Sequence, residues 1–149
     1  SGLMVIALTK DAHKKLQQQF IKRTVKKRYI ALLDGVLTSN EGFVELPLRV
    51  DLDDRPRQLV CYDYGKTAQT QWQVVSRMAQ QTKVYFHPIT GRTHQLRVHA
   101  AHVEGLNMPI VGDDLYGQSG ERLHLHAESL AINHPATGEA MSFQIDAAF

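Results

Sequence analysis

The chain has 149 residues, of which 43% are apolar and 21% charged, a composition typical of a globular domain that excludes an intrinsically disordered chain. Seventeen Lys and Arg against fifteen Asp and Glu give a net charge of only +2, so a nucleic-acid function would have to come from local clustering of charge. The single cysteine, Cys61, excludes an internal disulfide framework and a cysteine-based zinc site. We therefore expect a protein of the reducing cytoplasm.

The first apolar run, Leu3–Leu8, is short and β-branched, and it predicts a buried strand. A membrane span needs ~20 apolar residues, so neither a transmembrane helix nor a membrane partner is expected. No basic leader or signal-peptide cleavage site precedes the run. Because a strand begins so close to the first residue, and that residue is not Met, we expect the chain to be the later part of a longer protein.

A helix is predicted over Ala12–Ile21, because its apolar residues recur every four positions and so share one face. Thr9 or Asp11 can cap its amino end. Further strands and a second helix are predicted over Tyr29–Leu33, Gly42–Leu46, Thr67–Val75, Thr82–Phe86, Arg92–Val103 (the helix), Leu123–Leu125, Leu130–Ile132 and Met141–Ile145. This pattern indicates one α+β domain over residues 1–149, built on a mostly antiparallel sheet.

The connection between the first helix and the next strand is strongly basic. Five of the seven residues 22–28 are Lys or Arg, including Lys26, Lys27 and Arg28, and Tyr29 follows directly. A basic run beside an aromatic residue is what contact with a phosphate backbone and a stacked base requires. Taken alone, the run fits a solvated connection between a helix and a strand better, and a tyrosine on a strand, such as Tyr29, is most often a core residue.

The segment 88–99 leads from a strand through a glycine turn into the second predicted helix. Backbone N–H groups at the start of that helix, together with Arg92, could hold a phosphate. His94 and Arg97 are three residues apart, which places them on one helix face. The alternative is a helix whose polar residues face solvent.

Two other groups of polar residues have simpler interpretations. The five histidines 94, 99, 102, 124 and 126 do not have a standard zinc spacing, so no metal site is expected. Asp113 and Asp114 are adjacent, and they fit a turn whose backbone they cap better than a magnesium site. Cys61 is predicted to be a small packed residue.

Several stretches match, in order, the motifs of one known family. They are Ser1–Lys10, Lys27-Arg28-Tyr29, Gly65–Thr70, Thr90–His99, Pro109–Asp113, Leu125-His126-Ala127 and His134–Gly138. Residues 90–99 match the most specific motif, Thr-Gly-Arg-x-His-Gln-(Ile/Leu)-Arg-Val-His. On these residues the chain resembles the RluA-type family of RNA pseudouridine synthases, and the match extends over nearly its whole length.

This resemblance implies the family's catalytic-domain fold, a mostly antiparallel mixed sheet with flanking helices. It also implies the family's activity, the conversion of uridine to pseudouridine in ribosomal or transfer RNA without a cofactor. The family's catalytic Tyr falls on Tyr29, which would stack on the base and assist removal of the C5 proton. Its catalytic Arg falls on Arg97, which would pair with the nucleophilic carboxylate. Leu96 would be an apolar wall against the base. Contacts with RNA are expected from Arg92, His94, Lys26, Lys27 and Arg28.

One departure from the family pattern concerns the nucleophile. The family's catalytic Asp belongs to the motif Arg-Leu-Asp-x-x-Thr-Ser-Gly, of which only Ser1-Gly2 are present, and neither Asp11 nor Asp34 matches it. We therefore expect the 149-residue chain, a truncated catalytic domain, to be inactive alone. Two other functions stay open: an RNA-binding module without catalysis, and a metal-dependent hydrolase using the histidines.

Overall fold

The computed structural model describes all 149 residues, Ser1–Phe149, and contains two α-helices and eight β-strands. In chain order they are α1 (Lys10–Ile21), β1 (Lys26–Asp34), β2 (Glu41–Glu45), β3 (Leu48–Val50), β4 (Gln58–Val60), β5 (Gln69–Arg77), β6 (Gln81–Pro88), α2 (Gln95–Ala101), β7 (Leu125–Asn133) and β8 (Ala140–Gln144). Six strands form one sheet in the order β2-β5-β6-β1-β7-β8, while β3 and β4 form a separate pair. All these pairings are antiparallel, so the predicted α+β class is confirmed.

The hydrophobic core lies on one face of the large sheet, beneath α2. Along β6, Thr82, Val84 and Phe86 are fully buried, while the residues between them are only half-buried. Leu96 and Ala100 of α2 join the same cluster. Burying a side chain such as Phe86 contributes roughly 1.5–3 kcal/mol. Because the sheet and α2 share this core, the start of α2 is held at a defined position over β1.

The first helix ends at Ile21 as predicted but begins at Lys10, two residues before the predicted Ala12, and Thr9 is its cap. The Thr9 hydroxyl accepts a hydrogen bond from the Ala12 N–H at 3.1 Å, which satisfies one free donor at the helix start. The side chain of Gln19 donates to the Asn133 carbonyl at 2.8 Å and accepts from the Asn133 N–H at 2.9 Å. This pair of bonds ties α1 to the end of β7, while Leu16 is the helix's single buried residue.

The prediction of a buried strand over Leu3–Leu8 is wrong. The segment reaches the sheet only at its start, where the Leu3 N–H donates to the Ala127 carbonyl at 2.9 Å. Met4, Ile6 and Leu8 are 82%, 72% and 92% exposed. Leu3, Val5 and Ala7 between them are half-buried. An apolar run becomes a buried strand only where other elements pair with it and cover it on both sides, and the described chain covers only one side here.

The remaining differences concern boundaries and short elements. The second helix begins at Gln95 instead of Arg92, because His94 adopts a left-handed conformation with φ of 54°. The predicted strands at 123–125 and 130–132 are largely one strand, β7, and the hairpin of β3 and β4 was not predicted because each strand has only three residues. Neither helix has the length and apolar character of a membrane-spanning helix.

Candidate active site

A cavity of about 300 Å³ opens between β1, the turn that follows β6, and the start of α2. Six of the eight sequence-predicted site residues line it: Lys27, Tyr29, Arg92, His94, Leu96 and Arg97. No Asp or Glu lines it. Antiparallel pairing of β1 with β6 places Tyr29 opposite Phe86, which brings the basic run and the 90–99 motif together. The cavity thus combines an aromatic ring, an apolar wall and several cations.

The turn into α2 is held by one buried side chain, Gln95. Its Oε1 accepts from the Thr90 hydroxyl at 2.7 Å and from the Arg92 N–H at 3.0 Å. Its Nε2 donates to the Gln69 carbonyl and to the Thr70 hydroxyl, both at 2.9 Å. The sequence analysis assigned Gln95 no role. These bonds fix the position of Gly91 and Arg92 at the cavity rim.

Tyr29 lies half-buried on the core face of β1. Burial raises the pKa of its phenol, so the hydroxyl stays protonated at neutral pH. Its hydroxyl makes no hydrogen bond with any other residue of the described chain. Tyr29 therefore presents both an aromatic ring and a free hydroxyl to whatever enters the cavity.

Arg97 is held by a buried carboxylate that sequence reasoning treated only as a turn residue. Its Nε and a terminal nitrogen donate to the two Asp113 oxygens at 2.9 and 2.6 Å, and the terminal nitrogen also lies 3.1 Å from Asp114. Asp113 additionally accepts the N–H groups of Leu115 and Tyr116, as expected for a turn cap. Arg97 therefore pairs with both aspartates of the turn 111–117.

The electrostatics of this pair favour its ionised form. Burial by itself raises the pKa of Asp113, but the hydrogen bonds from Arg97 and from two backbone N–H groups outweigh burial and lower it. The hydrogen bond to Asp113 correspondingly raises the pKa of Arg97. The guanidinium is therefore a fixed positive charge at the cavity wall.

Tyr116 connects His94 to Arg97. The His94 Nδ1 lies 2.8 Å from the Tyr116 oxygen, and the Arg97 guanidinium lies 5.3 Å from the centre of the Tyr116 ring. The Gln58 N–H donates to the same oxygen at 2.8 Å, which attaches the β3–β4 hairpin to the site. Burial, followed by the charge of Arg97, lowers the pKa of His94, so the imidazole is neutral near pH 7. The sequence analysis did not anticipate Tyr116.

The three predicted basic contacts on β1 occupy different places. Lys27 is half-buried at the cavity rim, where burial lowers the pKa of its ammonium. Arg28 instead pairs with Glu128 at 3.0 Å and lies 4.4 Å from the centre of the Tyr85 ring, outside the cavity. Lys26 is exposed and does not line the cavity either. The structure therefore brings Lys27, but not Lys26 or Arg28, to Tyr29.

The five histidines do not form a metal centre, since the described chain contains no group of three or more His, Cys, Asp or Glu side chains that could hold an ion. His99 is buried and lies within hydrogen-bond distance of the Thr70 hydroxyl and the Leu46 carbonyl. His126 similarly contacts the Ile145 carbonyl. Cys61 is only half-buried, unlike the packed residue predicted, and a hydrogen bond from Arg49 lowers the pKa of its thiol.

Comparison with known proteins assigns the chain to a family. The family model for RNA pseudouridylate synthases matches residues 1–102. The whole chain is 46% identical to the dual-specificity RNA pseudouridine synthase RluA of Yersinia pestis and covers 74% of it. It is 47% identical to the RluA of Escherichia coli (strain K12) and covers 69% of that protein.

Two solved structures show the same fold. The human protein 'RNA Pseudouridylate Synthase Domain Containing 1' matches 96% of this chain with a TM-score of 0.80 and 30% sequence identity. The human protein 'RNA Pseudouridylate Synthase Domain Containing 4' also matches 96% of it, with a TM-score of 0.76 and 29% identity. The chain spans 63% and 66% of those two solved chains. The chain therefore belongs to the RNA pseudouridylate synthase family of RNA-modifying isomerases, and within it to the RluA type, as its motifs predicted.

Proposed function

We propose that the protein of which this chain forms the described domain converts uridine to pseudouridine in RNA, in the cytoplasm and without a cofactor, and that the Tyr29–Arg97 cavity receives the target uridine. The substrate would be ribosomal RNA, transfer RNA or both, in line with relatives whose names describe a dual specificity. The observation that carries this proposal is the convergence of six motif residues on one cavity. Its volume, about 300 Å³, suits a single extruded base.

The reaction sets the tasks for these side chains. The N1–C1′ bond breaks, the detached base turns, a C5–C1′ bond forms, the proton on C5 leaves and N1 takes up a proton. The Tyr29 ring would stack on the base, with its free hydroxyl assisting the transfer of the C5 proton. Leu96 would bound the base on its apolar side. Arg97, a permanent cation held in place by Asp113, would orient the anionic groups of the reaction.

The reaction also needs a carboxylate, and the cavity does not supply one. No Asp or Glu lines the cavity, and the Asp113 carboxylate is buried and already accepts bonds from Arg97 and two backbone N–H groups. We propose that the 149-residue chain alone does not catalyse the isomerisation, in agreement with its lack of the family's Asp motif. The same observation supports the second candidate function, RNA binding without catalysis, for this chain in isolation.

Release of tritium from RNA labelled at C5 of uridine tests the proposal, because joining C5 to the sugar must expel the C5 hydrogen. The chain is assayed beside the product of its complete gene, on ribosomal and transfer RNA. Release by the complete product alone is the expected outcome. Release by neither folded protein, on RNA that contains the target, would contradict the isomerase and leave the RNA-binding module.

A variant of Tyr29 sharpens the assay. In the complete gene product, Tyr29→Phe keeps the stacking ring but removes the hydroxyl, and we expect tritium release to fall roughly 10²–10⁴-fold while RNA affinity changes less than about twofold. Tyr64→Phe is the matched control, since Tyr64 is 83% exposed and does not line the cavity. Equal rates for the two variants would remove the catalytic role of Tyr29.

A further inference from the structure

A second cavity, of about 530 Å³, adjoins the uridine cavity on the side of α1. Its walls are the last turn of α1 with Arg23 beyond it and, opposite, the turn that carries Gly91 and Arg92. The two cavities share Lys27, Thr90, Gly91 and Arg92. Lys27 therefore borders both cavities.

The second cavity is positively charged without compensation. Arg23, Lys27 and Arg92 line it, no acidic residue does, and none of the three lies within 4.0 Å of a carboxylate. The side chain of Arg92 makes a single hydrogen bond, from its Nε to the Thr67 carbonyl at 2.8 Å, so its terminal nitrogens remain free. Unpaired guanidinium and ammonium groups that converge in one cleft are the donors that bind a phosphate.

Lys27 lines both cavities, which is where the phosphate that links two neighbouring nucleotides would lie. It is half-buried, and burial lowers the pKa of its ammonium, so a neighbouring anion would stabilise the charged form. A Cβ atom at position 91 would lie 3.4 Å from the Lys27 Nζ. Glycine at this position therefore leaves one side of the ammonium uncovered by a side chain.

The opposite wall offers an apolar surface for a base. Phe20 is 41% exposed and Ile21 is 63% exposed, and both line the cavity. The Lys27 Nζ lies 5.9 Å from the centre of the Phe20 ring, so the aromatic surface and the cations are adjacent. Every base has a face that can stack on such a ring, and stacking therefore accepts any base.

We propose that this second cavity binds the nucleotide next to the target uridine, with its base on Phe20 and its phosphate between Arg23, Lys27 and Arg92. The inference rests on the proposed function, since it places the RNA strand relative to the uridine cavity. It adds Phe20, which the sequence analysis did not single out, to the RNA interface, and it gives Arg23 of the basic run 22–28 a defined place there. An acidic peptide would use the same cations but would gain nothing from the aromatic ring.

Fluorescence anisotropy with a labelled penta-uridylate tests the subsite on the 149-residue chain, with circular dichroism to verify folding. We expect Phe20→Leu and Arg23→Gln each to weaken binding about tenfold. Lys14→Gln, a change of the same charge on the exposed part of α1 outside the cavity, should weaken it less than twofold. Uridine monophosphate, titrated by NMR, should bind all four proteins equally, because one nucleotide needs only the uridine cavity.

The outcomes separate the subsite from the function on which it rests. If the wild-type chain and the complete gene product bind no penta-uridylate, the RNA function fails and the subsite fails with it. If both bind it, but Phe20→Leu and Arg23→Gln behave like Lys14→Gln, the subsite is wrong and the RNA function stands. If hexaglutamate competes as well as penta-uridylate and Phe20→Leu has no effect, the cavity is an anion site and the nucleotide assignment is overturned.

Discussion

Arg92 and Arg97 belong to the same motif and line the same cavity, yet their surroundings are opposite. Arg97 pairs with a fully buried aspartate through two hydrogen bonds, and its side chain is 14% exposed. Arg92 has no carboxylate within 4.0 Å and shares its end of the cavity with unpaired Lys27. A cation whose charge is already compensated is suited to fixed geometry at the reacting base, whereas an uncompensated cation is suited to holding a phosphate.

The largest effect is expected from removing the ion pair between Arg97 and Asp113. Asp113→Asn keeps the shape of the side chain but removes its charge, which leaves the Arg97 guanidinium mostly buried without its counter-ion. We expect a loss of roughly 3–5 kcal/mol in the free energy of unfolding, measured by urea denaturation. A loss below about 1 kcal/mol would mean that Arg97 finds solvent or Asp114 as a substitute partner.

The contribution of this pair should also depend on pH. The pKa of Asp113 is lower in the folded chain than its ordinary value of 3.8, so its stabilisation is fully present above that value and is lost as pH falls toward the folded pKa. We therefore expect wild type and Asp113→Asn to differ fully in unfolding free energy at pH 6 and progressively less below about pH 4. A difference that stays constant down to pH 2 would contradict the assigned ion pair.

A smaller effect is expected on the unpaired side. Arg92→Gln should weaken penta-uridylate binding several-fold and reduce the slope of log affinity against log salt by about 0.7, the value for one phosphate contact on a single strand. Folding stability should change little, because Arg92 has no acidic partner to lose. Affinities measured between 50 and 200 mM salt check this, and an unchanged slope would place the phosphate elsewhere.

The smallest effect is expected at Asp114. Its side chain is 71% exposed, although it lies 3.1 Å from the same Arg97 nitrogen that Asp113 binds. Exposed ion pairs contribute roughly 0–1 kcal/mol, so Asp114→Asn should lower the free energy of unfolding by less than about 0.5 kcal/mol. A loss as large as that of Asp113→Asn would show that the two aspartates act as one unit.

Local patterns were sufficient for much of the secondary structure and for the family. The strand predicted over Thr67–Val75 is present as β5, and Thr70 and Trp72 lie on its buried face because side chains alternate strictly along a strand. The Thr9 cap was visible because a cap requires only residues three positions apart. The motifs identified the RNA pseudouridylate synthase family because they preserve order and spacing over the whole chain.

Some features follow only from the tertiary structure. The pairing of Arg97 with Asp113, the link through Tyr116, and the separation of Arg28 from Lys27 depend on which elements meet across the sheet. The exposed Leu3–Leu8 segment shows the same limit, because its burial depends on a partner that its own sequence cannot specify.

The sequence by itself therefore determined the helices, the main strands, the family and the residue types that the chemistry needs, since each depends on neighbours along the chain. Only the tertiary structure decided which cations are paired and which are free, and that Lys27 lines both cavities. The physical reason is that charge compensation and cavity shape depend on distances in space, and residues far apart along the chain set those distances.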